Sequence, residues 1–219
     1  MNMMADSTGK EASATRATYL TLRRMILTGA LPAGQKLKIE ELRARLNTGA
    51  TAVREALSLL TSDMLVERID QRGFRTAPAS PANFSEILRL RCVLEDMALR
   101  QSIAQATPEW EERLVLSHHR MKRADSATFE DAHKAFHMAL LDNAASPMLE
   151  HYCSQLYDLN IRYRYLAASG VTYQSRDIPG EHEKILDAAV NHDADAASAA
   201  LLSHYRLTGA YLTTQLEKL

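Results

Sequence analysis

A five-residue break, Ala77-Pro78-Ala79-Ser80-Pro81, does most to limit what this 219-residue chain folds into. Two prolines among small residues continue neither helix nor strand, because proline lacks the N–H that both use and turns the preceding residue away from helix. On either side, apolar residues recur mainly at helical spacing. The chain therefore reads as two helix-rich modules. Charge divides at the same place. The whole chain has a formal net charge of −1, which alone argues against a simple basic nucleic-acid binder. Residues 1–80, however, carry 12 basic and 8 acidic side chains, net +4, while residues 81–219 carry 14 and 19, net −5. A basic first third on an acidic remainder points to two modules with different partners.

Several classes drop out. No apolar run approaches the ~18 residues that a membrane span needs. Met1 to Arg16 has no hydrophobic segment of the export-signal kind. Cys92 and Cys153 both fall in helix-like stretches, so reduced thiols in a cytoplasmic protein are expected rather than a disulfide framework. With only 8 glycines and 6 prolines, a mainly α fold is expected.

In the first module, residues 1–15 are polar and aperiodic and are expected to be disordered. Tyr19, Leu22 and Ile26, at i, i+3 and i+7, predict a helix over about 15–28, stopped by Gly29 and Pro32. Ile39, Leu42 and Leu46 predict a second, short helix. Asn47-Thr48-Gly49-Ala50 reads as a turn. A third helix over about 51–63 buries Val53, Leu57 and Leu60. Leu65–Arg68 and Phe74–Thr76 flank Asp70-Gln71-Arg72-Gly73 as a small hairpin. Three helices and a hairpin over 16–78 make a winged helix-turn-helix. In such a fold the third helix enters the DNA major groove and offers its first turn to the bases. Arg54 suits a two-donor contact to guanine O6 and N7, and Thr51 a phosphate or a thymine methyl. Lys36, Lys38, Arg43 and Arg45 stand where phosphates would pass, and Arg72 and Gly73 form the wing tip.

The second module, 82–219, shows six helical stretches at roughly 82–105, 108–124, 127–142, 147–168, 179–191 and 193–217. Thr107 caps a helix that has Pro108 in its first turn, and Asp193 caps the last. The expected architecture is an antiparallel six-helix bundle. His133 and His137, at i and i+4, share one helical face with Phe136 and Leu140. His182 lies on the stripe of Ile185, Leu186 and Ala189, and His204 on that of Leu201, Thr208 and Tyr211. His118 is expected to face inward beside Leu114, and His119, His151 and His192 to be peripheral. One histidine on an apolar face is usually a satisfied core residue. Four that converge each need partners for two ring nitrogens, and one shared divalent ion serves them all. Arg91 suits a carboxylate clamp, or else an i, i+4 pair with Glu95. Arg162, Tyr163, Arg164 and Tyr165 cluster on the fourth of these helices, with Arg162 and Tyr165 as further effector contacts.

These residues carry a resemblance. Leu31-Pro32-Ala33-Gly34, Glu41-Leu42-Arg43-Ala44-Arg45-Leu46 and Ala52-Val53-Arg54-Glu55-Ala56-Leu57 resemble the DNA-binding domain of GntR-family transcription regulators. Leu65–Arg68 and Arg72-Gly73-Phe74 resemble that family's wing. Arg91-x3-Glu95, Phe136-His137, Glu181-His182-x2-Ile185-Leu186-x-Ala188 and the late His204 are similar to the FCD ligand-binding domain of the FadR subfamily. Six bundle helices are more like its VanR-type branch. The resemblance covers about 15–217. It implies a homodimeric, ligand-responsive repressor on a pseudo-palindromic double-stranded operator, with a small carboxylate effector and a divalent metal, Zn or Ni.

Two departures matter. Relatives carry Ser-Arg or Thr-Arg followed by Thr-Pro where this chain has Gly49-Ala50-Thr51-Ala52, so an operator sequence does not transfer. Metal-binding relatives use an aspartate and three histidines. His137, His182 and His204 match the histidines, while His133 stands at the aspartate position. Asp131 is rotated about 120° from His137 on the helix and is a poor substitute. Either all four histidines ligate, the reading adopted here, or three ligate and His133 stands behind them. Exchanging a carboxylate for imidazole makes the centre one charge more positive and more receptive to an anion. A metal site in a bundle also suits an enzyme. The chain has no HExxH and no carboxylate poised as a general base, so no enzyme is expected.

Overall fold

The computed structural model describes residues 4–70, 72–167 and 176–217, with side chains from residue 13 onward. The elements run α1 (Met4–Leu27), β1 (Lys36–Leu37), α2 (Ile39–Leu46), α3 (Ala50–Ser62), β2 (Val66–Ile69) and β3 (Gly73–Thr76). Six helices follow: α4 (Pro81–Ala104), α5 (Pro108–Arg123), α6 (Phe129–Ala139), α7 (Pro147–Ala167), α8 (Ile178–Val190) and α9 (Ala194–Leu216). Contacts divide the chain into two compact units. The first is 1–80 together with 161–166, and the second is 81–160 together with 167–219.

In the first unit, Leu22 and Ile26 of α1 and Val53, Ala56, Leu57 and Leu60 of α3 are fully buried. Each large aliphatic of this set contributes about 1.5–3 kcal/mol by leaving water. Tyr19 Oη donates to Asp63 at 2.7 Å and fixes the register of α1 on α3. Between α2 and α3 the chain turns through Asn47, whose left-handed φ of 48° lets its N–H close on the last turn of α2. The helix begins at Met4, ahead of the start near residue 15 that the apolar period predicts; residues 1–3 of the stretch expected to be disordered lie outside the described ones. Polarity removes a core but not helix propensity, and Ala, Lys, Glu and Met there are helix formers.

The wing is a three-stranded antiparallel sheet in the order β1-β3-β2. Strand β1, only two residues long, leaves no period to read in the sequence. Gly73, at φ +92°, closes the β2–β3 turn in a conformation that other residues resist. In the second unit, Trp110, Leu114, Phe136, Leu140, Ile185, Ala189 and Leu201 form a dry core. The Trp110 indole N–H is satisfied by the Ala139 carbonyl at 2.9 Å. Thr107 and Asp193 cap α5 and α9 as their positions predict.

Candidate metal centre and nucleic-acid interface

Arg54 and Thr51 lie on the exposed side of α3, opposite Val53, Ala56, Leu57 and Leu60. Lys36, Lys38, Arg43, Arg45, Arg72 and Gly73 are exposed as well. Lys38 pairs with Glu41 at 2.6 Å and Arg43 with Glu40 at 2.8 Å, in contacts open to solvent. Solvent screens such exposed pairs, so they hold these side chains only weakly.

In the second unit, His133 and His137 of α6, His182 of α8 and His204 of α9 are all buried. One ligand atom from each lies within 4.8 Å of the other three. Ring centroids are 4.5 Å apart for His133 and His137, and 4.6 Å for His182 and His204. A tetrahedral ion with bonds of about 2.0–2.1 Å holds its donors about 3.4 Å apart, so modest ring rotations close the set.

Hydrogen bonding settles which nitrogens face the centre. The Tyr205 hydroxyl has one proton and gives it to Glu95. It must therefore accept from Nδ1–H of His137, 2.9 Å away. The Tyr157 hydroxyl donates to Glu130 at 2.8 Å and so accepts from Nδ1–H of His133. Glu181 accepts from Nδ1–H of His204 at 2.7 Å. Three rings are thus held as the tautomer whose Nε2 keeps its lone pair. His137 Nε2 is buried and has no hydrogen-bond partner among the described residues. A metal cation would supply that partner without a proton.

Electrostatics agree. Burial, followed by the neighbouring His133, His182 and His204, holds His137 well below the usual imidazole range. Burial also lowers His204 to about 4, although its bond to Glu181 pushes the other way. His137 and His204 are therefore neutral at pH 7, as ligands must be. Glu181 is lowered, since Arg176 and His204 outweigh the opposing effect of its burial. Tyr205 is raised well above the usual phenol range by burial and by Glu95.

Of the side chains expected at the effector, Arg91 alone lies beside the histidines. It is buried, its guanidinium donates to Glu95 at 2.6 and 3.3 Å, and it stacks on the Tyr205 and Tyr157 rings at 4.3 and 5.0 Å. The pair with Glu95 thus forms, in a buried setting. Arg162 and Tyr165, the other two expected at the effector, belong to the other compact unit. Both fall in the 161–166 segment of the first unit, where Arg162 donates to the Ala77 carbonyl and Tyr165 is 40% exposed. The alternation of Arg and Tyr marked a mixed face, and contact with 77–80 claimed it. Tyr157, Tyr205, Glu130 and Arg176 carry no such signal in the sequence, although Tyr205 adjoins a predicted ligand; Glu181 stands in the motif that resembles the FCD domain, but without a role. His118 is buried against Phe136, while His119, His151 and His192 are exposed.

The FCD domain matches residues 86–207, and the gntR family of bacterial regulatory proteins matches residues 14–75. The chain belongs to the GntR family. It is 36% identical over 202 residues to the uncharacterized HTH-type transcriptional regulator BphR of Paraburkholderia xenovorans (strain LB400), covering 88% of this chain and 82% of that protein. It is 27% identical over 200 residues to the HTH-type transcriptional repressor GlaR of Escherichia coli (strain K12), covering 87% and 91%. The solved structure of E. coli McbR/YncC shares the fold, with a TM-score of 0.76 over 92% of this chain and 98% of that one, at 22% identity. This GntR-family member is a DNA-binding transcription regulator, and the matched domains and relatives are those of regulators rather than enzymes. Among the described residues, no helix is long and apolar enough to cross a membrane.

Proposed function

We propose that this regulator is a cytoplasmic, homodimeric repressor whose operator affinity responds to a divalent metal and a small organic acid in the second unit. Zn and Ni are among the ions that an all-imidazole set suits. The observation that carries the reading is the convergence of four buried histidines, three with Nδ1 tied back. His133, His137, His182 and His204 would hold the ion, which supplies Lewis acidity toward a carboxylate. The chain's own contribution is to keep the four nitrogens deprotonated and aimed inward. Arg54 and Thr51 would read bases, Arg72 and Gly73 the groove beside the wing, and Lys36, Lys38, Arg43 and Arg45 the phosphates. Two such readers on a dimer suit a pseudo-palindromic operator. Leu90, Val93 and Met97, at i, i+3 and i+7 on α4, are 40, 61 and 43% exposed and offer an apolar face to a second copy.

Response to an effector requires it to prefer one arrangement of the protein, typically by 1–3 kcal/mol. The test is operator affinity, on a site selected from random duplexes, for metal-free and zinc-loaded protein with a panel of mono-, di- and tricarboxylic acids. A change of about 5–150-fold with one acid, dependent on metal, is expected. Equal affinity throughout would leave a constitutive DNA binder. The fourth imidazole favours a second reading, because four protein donors close a tetrahedral site and leave no position for an acid. The metal would then be structural or itself the signal. Affinity that follows zinc and ignores every acid would favour it.

A further inference from the structure

Among the described residues, carboxylates back His133, His137 and His204, but the routes differ. Glu181 touches His204 directly. Glu130 and Glu95 act through the hydroxyls of Tyr157 and Tyr205, on His133 and His137 respectively. Beneath both tyrosine rings lies the one guanidinium of Arg91, itself paired with Glu95. The Tyr157 ring also has Lys134 Nζ at 5.7 Å, and that lysine is held by Asp158 at 2.6 Å.

The His133 arm is distinctive because it is built almost within one helical turn. Glu130 and His133 are i and i+3 on α6, and Tyr157 reaches in from α7 to join them. Glu130 Oε1 lies 3.8 Å from His133 Nδ1, too far for a hydrogen bond, so the tyrosine oxygen closes the gap. Without it, Nδ1–H loses this acceptor, and the tautomer that presents Nε2 to the other three rings loses the support it gives. We propose that Tyr157, whose hydroxyl is oriented by Glu130 behind it, is the positioning residue that makes His133 a metal ligand. Arg91 then belongs to the same frame, holding the Tyr157 and Tyr205 rings rather than an effector. The inference rests on the metal reading above and adds which residues set the fourth donor.

The test is a double-mutant cycle on the full chain, with Zn affinity read by competition against a chelating dye and the donor set read from the visible spectrum of bound Co(II). Tyr157→Phe keeps the ring and its cation contacts but loses the hydroxyl. It should weaken Zn about 10–100-fold and alter the Co(II) band. In a His133→Ala background the same substitution should change affinity less than about 3-fold, because the hydroxyl acts only through that imidazole. Glu130→Gln should shift affinity in the same direction by a smaller factor. Melting of the metal-free variants separates these effects from misfolding. Unchanged affinity and spectrum in Tyr157→Phe, or an equal loss in both backgrounds, would overturn the proposal. Wild-type protein that binds neither Zn nor Co(II) would overturn the metal reading itself, a distinguishable result.

Discussion

The two units carry function in opposite ways. In the first, Arg54, Thr51 and the basic side chains around them stand on the solvent face of elements whose other face is the core. In the second, His133, His137, His182 and His204 are themselves core, packed against Phe136 and against one another. A reader of DNA needs an exposed convex helix, and its side chains act almost independently of the fold. A centre that must exclude water and fix four nitrogens uses the same side chains for packing, polarity and binding. In the first unit function and stability are therefore separable. In the second they are coupled.

The largest expected break in this comparison comes from His137→Ala. It removes a donor and leaves the Tyr205 hydroxyl without its buried donor. Metal affinity should fall by more than about 100-fold, beyond what a residue behind a ligand costs. The metal-free protein should also lose about 1–3 kcal/mol, read by urea unfolding. Arg54→Ala should show the contrary pattern. Operator affinity should drop by about 1–3 kcal/mol, read by fluorescence anisotropy on labelled duplex, with stability within about 0.5 kcal/mol of wild type. If Arg54→Ala melted the protein, or His137→Ala left stability untouched, the contrast would be wrong.

Acid sharpens the comparison. His137 and His204 have depressed pKa values in the fold, so below the ordinary histidine value of about 6.5 the unfolded chain binds protons that the folded one does not. Stability of the metal-free protein is therefore complete above pH 6.5 and falls as the pH drops toward the folded value of about 4 for His204. Melting temperatures between pH 7 and 4.5 should decline along that course. A His137→Ala, His204→Ala double variant should decline less steeply. The smallest effect belongs to Lys36→Ala. It should weaken binding of all duplexes alike and reduce the slope of log affinity against log salt by about 1.

The two units also differ in how far they could be read from sequence. Helix periods, Gly29, Pro32 and the Thr107 and Asp193 caps are local signals, and they placed the helices within a few residues except at the start of α1, where the apolar period gives out before the helix does. The four histidines were legible because each sat on an apolar stripe where imidazole is out of place. Tyr157 and Glu130 were not, since a tyrosine and a glutamate on amphipathic helices look like ordinary surface or core residues until two helices meet. Arg91 shows the same limit from the other side. Its pairing with Glu95 was visible at i, i+4, but the two tyrosine rings that bury the pair come from α7 and α9. Strand β1 escaped for a simpler reason: two residues have no periodicity.

The central claim is that the four histidines hold one divalent ion. Elemental analysis of the purified full-length protein, paired with its melting temperature across a zinc titration, tests it most directly. The account predicts about one ion per chain and a melting temperature that rises with zinc as RT ln(1 + [L]/Kd), both lost in His137→Ala. Wild-type protein carrying no ion, with melting indifferent to added zinc, would contradict it.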